Sequence, residues 1–384
     1  MPAFASPRTA HSRGTAAGES GVPNPDWMTA AVNEWAQISG TTAPGALSQY
    51  CGLGWRDDAT CVELFSGAAG GHSSGQYVTN NEVWTLRLTD GTPAWVQRRA
   101  ASTVGGWDTT GNTTPYMEDG RPATRHVYAD AWWLPEQSAY YVGGMYWGSS
   151  GVNYSISDGF IPSGTSGGDW QAAATYPTRP DSAGYLIMLS ARDPSTGYLY
   201  GTPRNDGAKL YKFNPATLTW SNIATSGAAN VNMGGSAFDT TRGNIYHLSG
   251  GVWLGPAAGV SSATINISTG ARTAIGFNSS SAWTEFQADA DKFVLSSLQY
   301  DATADCFYFY NGNSYALTGR SARVYKITPN GTSTWDMSSL SVTGVTPTNE
   351  SNDSGVLSKF RYISRWRVLI YVCSGQNIYY LRVA

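Results

Sequence analysis

The chain has 384 residues, a net charge of -3 and 13% charged residues, about half the roughly 25% usual in a globular domain. With no basic run it has nothing to neutralise a row of phosphates, so nucleic acid and anionic membrane surfaces are excluded as main partners. Its 44 Gly, 15 Trp and 23 Tyr suit instead a turn-rich, all-β chain with a polar but weakly charged surface.

Residues 1–28 carry Pro, Ala, Ser, Gly and Thr without an apolar run long enough for a signal-peptide core or a membrane span. The chain therefore reads as soluble, with no visible export signal. So polar an arm has little reason to order by itself, and docking on a neighbouring subunit is the expectation, with lying along its own domain as the alternative. The next segment, Asn33-Glu34-Trp35-Ala36-Gln37-Ile38-Ser39-Gly40, has the form of an outer strand.

Downstream, one hairpin is written repeatedly. Val83-Trp84-Thr85-Leu86-Arg87-Leu88 leads through a Thr-Asp-Gly-Thr-Pro turn to Trp95. Leu210-Tyr211-Lys212-Phe213 leads likewise to Trp220, and Val324-Tyr325-Lys326-Ile327 to Trp335. A repeated strand-turn-Trp unit in a chain with almost no helical periodicity indicates a closed array of β-units. Naming the strands of each unit a to d from the inside outward, the b strands fall at 61–67, 139–144, 198–201, 244–251, 306–312 and 367–374. Short polar turns such as Arg192-Asp193-Pro194 and Tyr300-Asp301-Ala302 precede them. The c strands fall at 82–88, 156–160, 209–213, 263–267, 322–327 and 377–383, and d strands open near Trp95, Trp170, Trp220 and Trp335, with 273–275 a weaker match.

The sixth unit lacks a fourth strand before the chain stops at Ala384, while the Trp35 segment resembles Trp220-Ser221-Asn222-Ile223-Ala224. The expected architecture is therefore all-β, a six-bladed β-propeller of four-stranded blades closed by an N-terminal outer strand that completes the last blade. Its expected layout is an arm at 1–28, a closing strand at 29–45, and blades at about 46–102, 119–176, 180–226, 230–280, 289–341 and 354–384.

The run Arg121-Pro122-Ala123-Thr124-Arg125-His126-Val127-Tyr128, followed by Tyr140-Tyr141-Val142-Gly143-Gly144, resembles the kelch repeat, as does Gly70-Gly71-His72. The double glycine is clear in units one, two and four only. The resemblance implies four-stranded blades around a channel, with ligands met by the loops joining d to a and b to c. It also invites comparison with kelch-like copper-radical oxidases, whose His and Tyr ligands beside a cross-linked Cys are not marked here. Sialidase-type propellers carry a Ser-x-Asp-x-Gly-x-Thr-Trp turn, of which Gly167-Gly168-Asp169-Trp170 is a faint echo.

No metal site or cofactor is called. The four histidines, His11, His72, His126 and His247, form no HxH or HExxH pair, and the four cysteines show no CxxC spacing. Cys61, Cys306 and Cys373 read as small buried hydrophobes, and Cys51 and Cys61 have a cross-hairpin disulfide as their alternative. Asp289, Asp291 and the 349–353 cluster suit turns, with calcium as the alternative. Paired carboxylates for glycoside hydrolysis cannot be picked out, because a ring scatters them.

The candidate contact residues are aromatic and cationic. Trp107 and Tyr116 lie in the first d-to-a connection, Tyr146, Trp147 and Tyr154 around the second b-to-c connection, and Trp253 in the fourth unit. Flat rings on rigid loops suit sugar or protein recognition, and the competing reading is packing. Arg121, Arg125 and Arg179 precede inner strands and are candidates for the channel mouth, against a role in pairing carboxylates or blade carbonyls.

The function expected from all this is a noncatalytic structural or recognition propeller. The setting is a virion, as a bacteriophage tail component, with the arm contacting protein neighbours and the loops presented to a partner or a surface glycan. A carbohydrate-binding or carbohydrate-cleaving propeller is the alternative, and a cytoplasmic kelch adaptor the third.

Overall fold

The structure, a computed structural model, describes residues 24–44, 51–68, 72–73, 76–77, 81–102, 115–147, 153–180, 187–203, 209–225, 234–250, 260–289, 296–312, 322–350 and 355–384. It is a six-bladed, all-β propeller of four-stranded blades. Blade I consists of Gly54–Asp57, Val62–Gly67, Val83–Arg87 and Trp95–Arg99, and blade II of Ala131–Leu134, Ala139–Trp147, Asn153–Ser163 and Gly167–Trp170. Blade III is Ile187–Arg192, Leu199–Pro203, Lys209–Asn214 and Thr219–Ala224, and blade IV is Gly235–Asp239, Asn244–Gly250, Val260–Asn266 and Arg272–Ala274. Blade V is Ser297–Asp301, Cys306–Tyr310, Val324–Thr328 and Thr334–Ser339. Within each, successive strands pair antiparallel, a meander with every tight turn joining neighbours.

Blade VI draws on both halves of the sequence. Phe360–Ile363, Val368–Tyr371 and Tyr379–Arg382 supply its a, b and c strands, and Glu34–Gln37 pairs antiparallel with the last of these, Trp35 opposite Leu381. Backbone bonds extend the join at either side, from Asn33 to Arg382 and from Ile38 to Ile378. Outer strands in blades V and VI gain a parallel two-residue neighbour, Gly276–Phe277 on Thr334–Trp335 and Thr343–Gly344 on Glu34–Trp35. These short additions, and the helix Ser281–Asp289, have no counterpart in the sequence reading. Ser280 caps that helix by accepting the Trp283 N–H, and Phe286 sinks against Phe309 and Tyr325.

Aromatic pairs hold the blades to one another. Phe65 stacks on Tyr140 between blades I and II at 4.3 Å, Tyr141 meets Phe213 between II and III, and Tyr200 meets Phe238 between III and IV. Tyr246 packs on Phe307 between IV and V, and Tyr310 on Phe360 between V and VI. Each such contact contributes about 0.5–1.5 kcal/mol beyond the area it buries. Trp27 joins VI to I: its ring meets Trp366 and Tyr380 edge-on, and its Nε1 donates to the Leu88 carbonyl. Inner strands of blades IV and V approach so closely that a Cβ on Gly235 would collide with the Leu298 backbone.

The cysteines need one correction. Cys51 and Cys61 do not pair; all four are free and buried, and Cys51 Sγ lies 3.7 Å from Ser66 Oγ. Burial pushes the Cys51 thiol up to about 11 and the Cys373 thiol to about 12, which leaves them as core residues.

Candidate functional site

The a-to-b turns share a local cause. Asp58, Asp193, Asp239 and Asp301 each accept the backbone N–H two residues on, from Thr60, Ser195, Thr241 and Thr303. This Asx turn folds the chain back in two or three residues, and it explains why the same Asp-x-Ser/Thr pattern recurs. In the sixth blade the turn is instead a 3-10 segment, Ser364–Trp366. These four Asx turns, the 3-10 segment and the turn at 135–138 of blade II, closed by backbone bonds from Gln137 to Leu134 and from Ser138 to Pro135, surround the axis and form the rim of one propeller face.

That rim surrounds a cavity of about 700 Å³, a funnel into the central channel. Its size is that of a site for a small molecule, for which roughly 300–1,000 Å³ is usual. All six inner strands contribute, with Trp55, Trp132, Ser190, Ser236, Gln299 and Arg361 one from each blade. Below it the channel narrows to a throat of about 30 Å³, reached by the same six residues and by Leu53 and Phe360.

Two indoles are fixed in the wall. Trp55 Nε1 donates to the Ser358 carbonyl at 2.6 Å, across the I–VI junction, and Trp132 Nε1 to the Leu189 carbonyl at 2.7 Å, across II–III. Both are buried, so little of either ring is open to the cavity. Between them stand the hydroxyls of Ser190, Ser195, Thr196, Thr240 and Ser364 and the Gln299 amide. The lining is therefore mixed, with many small donors and acceptors on rigid strands and turns.

Charges at the rim are mostly spoken for. Asp57 pairs with Arg365, Asp58 with Arg56, and Glu136 with Arg192, while Arg242 bridges Asp239 and Asp305. Several of these pairs staple neighbouring blades, and Arg56 also lies over the Trp133 ring at 4.6 Å. Desolvation at the wall raises the Asp57 carboxyl above its ordinary value against the pull of Arg365. Arg361 differs. Its guanidinium lies 5.6 Å from the Trp132 ring centroid and makes no ion pair or side-chain hydrogen bond among the described residues. Burial lowers its pKa, with Asp57 opposing that shift and Arg192 adding to it.

None of the residues singled out from the sequence is among the described residues that line the funnel. Trp107 and Trp253 fall outside the described residues. Tyr146 and Trp147 end the b strand of blade II, and Tyr154 begins its c strand, with Tyr154 opposite Tyr146 in the ladder. Tyr116 donates to Asp158 at 3.2 Å, and Arg125 pairs with the same carboxylate at 2.8 Å, wholly buried. Arg179 is paired with Asp130, also buried, and lies over Trp220. Arg121 sits half-exposed beside Asp119. Gly143, of the double glycine, is where a Cβ would strike both Arg179 and Asp130. The geometry gathers Tyr116, Arg125 and Arg179 into the blade II core, not into the funnel.

Sequence reasoning missed the funnel residues themselves. Inner strands were located through their turns, and Trp132-Trp133 was the one signal available. Among the described residues no group of three or more His, Cys, Asp or Glu is placed to hold a metal ion, and no helix is long and apolar enough to cross a membrane.

No protein-family model matches this chain. None of the curated proteins matches it either. Among solved structures it is similar to a glucose dehydrogenase, at 11% identity and a TM-score of 0.45, over 91% of this chain and 99% of the other. A soluble aldose sugar dehydrogenase from Escherichia coli aligns at 10% identity and a TM-score of 0.45, over 90% and 98%. A thermostable family-43 glycoside hydrolase aligns at 9% and 0.42, over 81% and 100%. At such identities the likeness concerns the fold alone.

Proposed function

We propose that this protein is a noncatalytic recognition propeller that binds a small, polyhydroxylated ligand in the funnel on its a-to-b face. The observation that carries this reading is the funnel's lining, in which hydroxyls and an amide from the inner strands and turns of blades III to VI face two fixed indoles from blades I and II. Many donors and acceptors at fixed positions suit a sugar, whose hydroxyls demand partners, better than an apolar molecule. Binding is favoured over hydrolysis because Asp57, Asp58 and Glu136 are each engaged by an arginine, so none of the three stands open to a substrate as a hydrolytic carboxyl pair must.

The test uses the protein's own indoles. Tryptophan emission should change saturably on titration with monosaccharides, and Ser190→Trp, which fills the funnel, should abolish the change while leaving the melting temperature within about 2 °C, roughly 1–2 kcal/mol for a chain of this length. A full monosaccharide panel without a saturable change would contradict the reading.

A second reading makes the propeller a scaffold in a multi-protein particle, such as a bacteriophage tail, with the arm docking on a neighbour. What favours it is Trp27, which fixes where the N-terminal segment meets the ring. Light scattering should then show assemblies of the full chain that are lost on deleting residues 1–23. Equal masses would count against it.

A further inference from the structure

We propose that the funnel's ligand carries a carboxylate, as an acidic sugar residue of the uronic-acid class does, and that Arg361 reads its charge. This rests on the funnel reading above and narrows it. Arg361 sits on the inner strand of blade VI, where the funnel meets the throat, and lines both. At this rim Arg56, Arg192, Arg242 and Arg365 each have a carboxylate within ion-pair distance, and Arg367 donates to the Ala384 backbone oxygen. Arg361 has no such carboxylate among the described residues, and its guanidinium lies against the Trp132 ring.

An unpaired guanidinium in a narrow, half-buried channel is costly unless something else completes it. Two charged groups act on it from the packed elements, Asp57 from blade I and Arg192 from blade III, with opposite signs. Asp57 is already engaged by Arg365, so the fork of Arg361 stays open toward the funnel. The Trp132 ring beside it favours a fixed orientation, and a planar guanidinium matches a carboxylate through two parallel hydrogen bonds.

The polar groups beside it are partly committed. Ser236 shares a hydrogen bond with His247 Nδ1, and Gln299 donates to Ser297. Ser190 and the remaining capacity of Gln299 stand ready for ligand hydroxyls in the same space. A neutral sugar would satisfy those groups and leave Arg361 without a partner. The carboxylate is thus the feature that separates preferred from tolerated ligands.

Calorimetric titration of the full chain, Arg361→Gln and Arg361→Lys with glucuronate, glucose and inorganic phosphate tests this. The native protein should bind glucuronate at least about tenfold more tightly than glucose, the scale of one charge-assisted hydrogen bond. Arg361→Gln should abolish the preference for glucuronate over glucose, and Arg361→Lys should keep part of it. Should Arg361→Gln fail to fold, the Lys variant and the weakening of the native preference with salt carry the same test. Equal affinities for glucuronate and glucose in the native protein would overturn the charge assignment and leave the funnel reading standing. Displacement of glucuronate by phosphate at equal concentration would overturn the acidic-sugar assignment in favour of a general anion site. Absence of binding by both sugars would overturn the funnel reading and this inference together.

Discussion

His247 shows how one residue ties the core to solution conditions. It lies on the b strand of blade IV, buried, with Nδ1 2.8 Å from Ser236 Oγ, and Nε2 has no hydrogen-bond partner among the described residues. Burial, with Arg272 adding its positive charge, pushes the imidazole down to about 3. The folded protein therefore holds His247 neutral, whereas the unfolded chain takes up a proton below about 6.5. Between those values the unfolded state binds more protons, so stability falls as pH drops, by about 1.4 kcal/mol per unit. Urea unfolding at pH 7 and pH 5 should show that loss, and His247→Gln should remove most of it. An unchanged pH slope in the variant would mean that the imidazole already charges in the folded state. Buried charge is handled differently at Glu63, where Arg98, Arg87 and the Tyr140 hydroxyl all converge on one carboxylate. None of these partnerships could be read from the sequence, because the partners stand 11 to 77 residues apart and leave no local pattern.

At the level of elements, the outer strand Glu34–Gln37 and the Trp at its second position are the informative case. Trp35 is 3% exposed and packs on Tyr310 of blade V while its backbone pairs with blade VI. Trp35→Ala should lower the stability by about 3–5 kcal/mol, read as a shift of the urea midpoint, since it leaves a cavity and loosens the edge. A loss below about 1 kcal/mol would contradict a core role for this ring. Outer strands of this kind were legible in the sequence because a Trp recurs at or near their start after a c strand and a polar turn. The helix Ser281–Asp289 was not, since its two most buried side chains, Ala282 and Phe286, make a single i, i+4 pair, too little for a period. Two-residue parallel strands such as Thr343–Gly344 have no period at all. Arg125 and Arg179 were visible as inner-strand arginines, but only packing tells a paired arginine from an open one.

For the whole molecule, six similar blades produce a site that no single blade contains. Each gives inner-strand and turn residues to the funnel, and the rim of turns and ion pairs keeps them in register. This division explains why the repeat was easy to read and the site was not. The repeat is local, whereas Trp55 and Arg361 come together only when the ring is complete. The kelch-like double glycine pointed to the opposite loops, and the described cavity opens on the a-to-b face. Hydrogen-deuterium exchange with and without saturating glucuronate decides between the two faces most directly. The account predicts slowed exchange in the a-to-b turns, around residues 57–61, 134–138, 192–198 and 363–367, with the d-to-a and b-to-c loops unchanged. Protection confined to those loops, or absent from the whole chain, would contradict it.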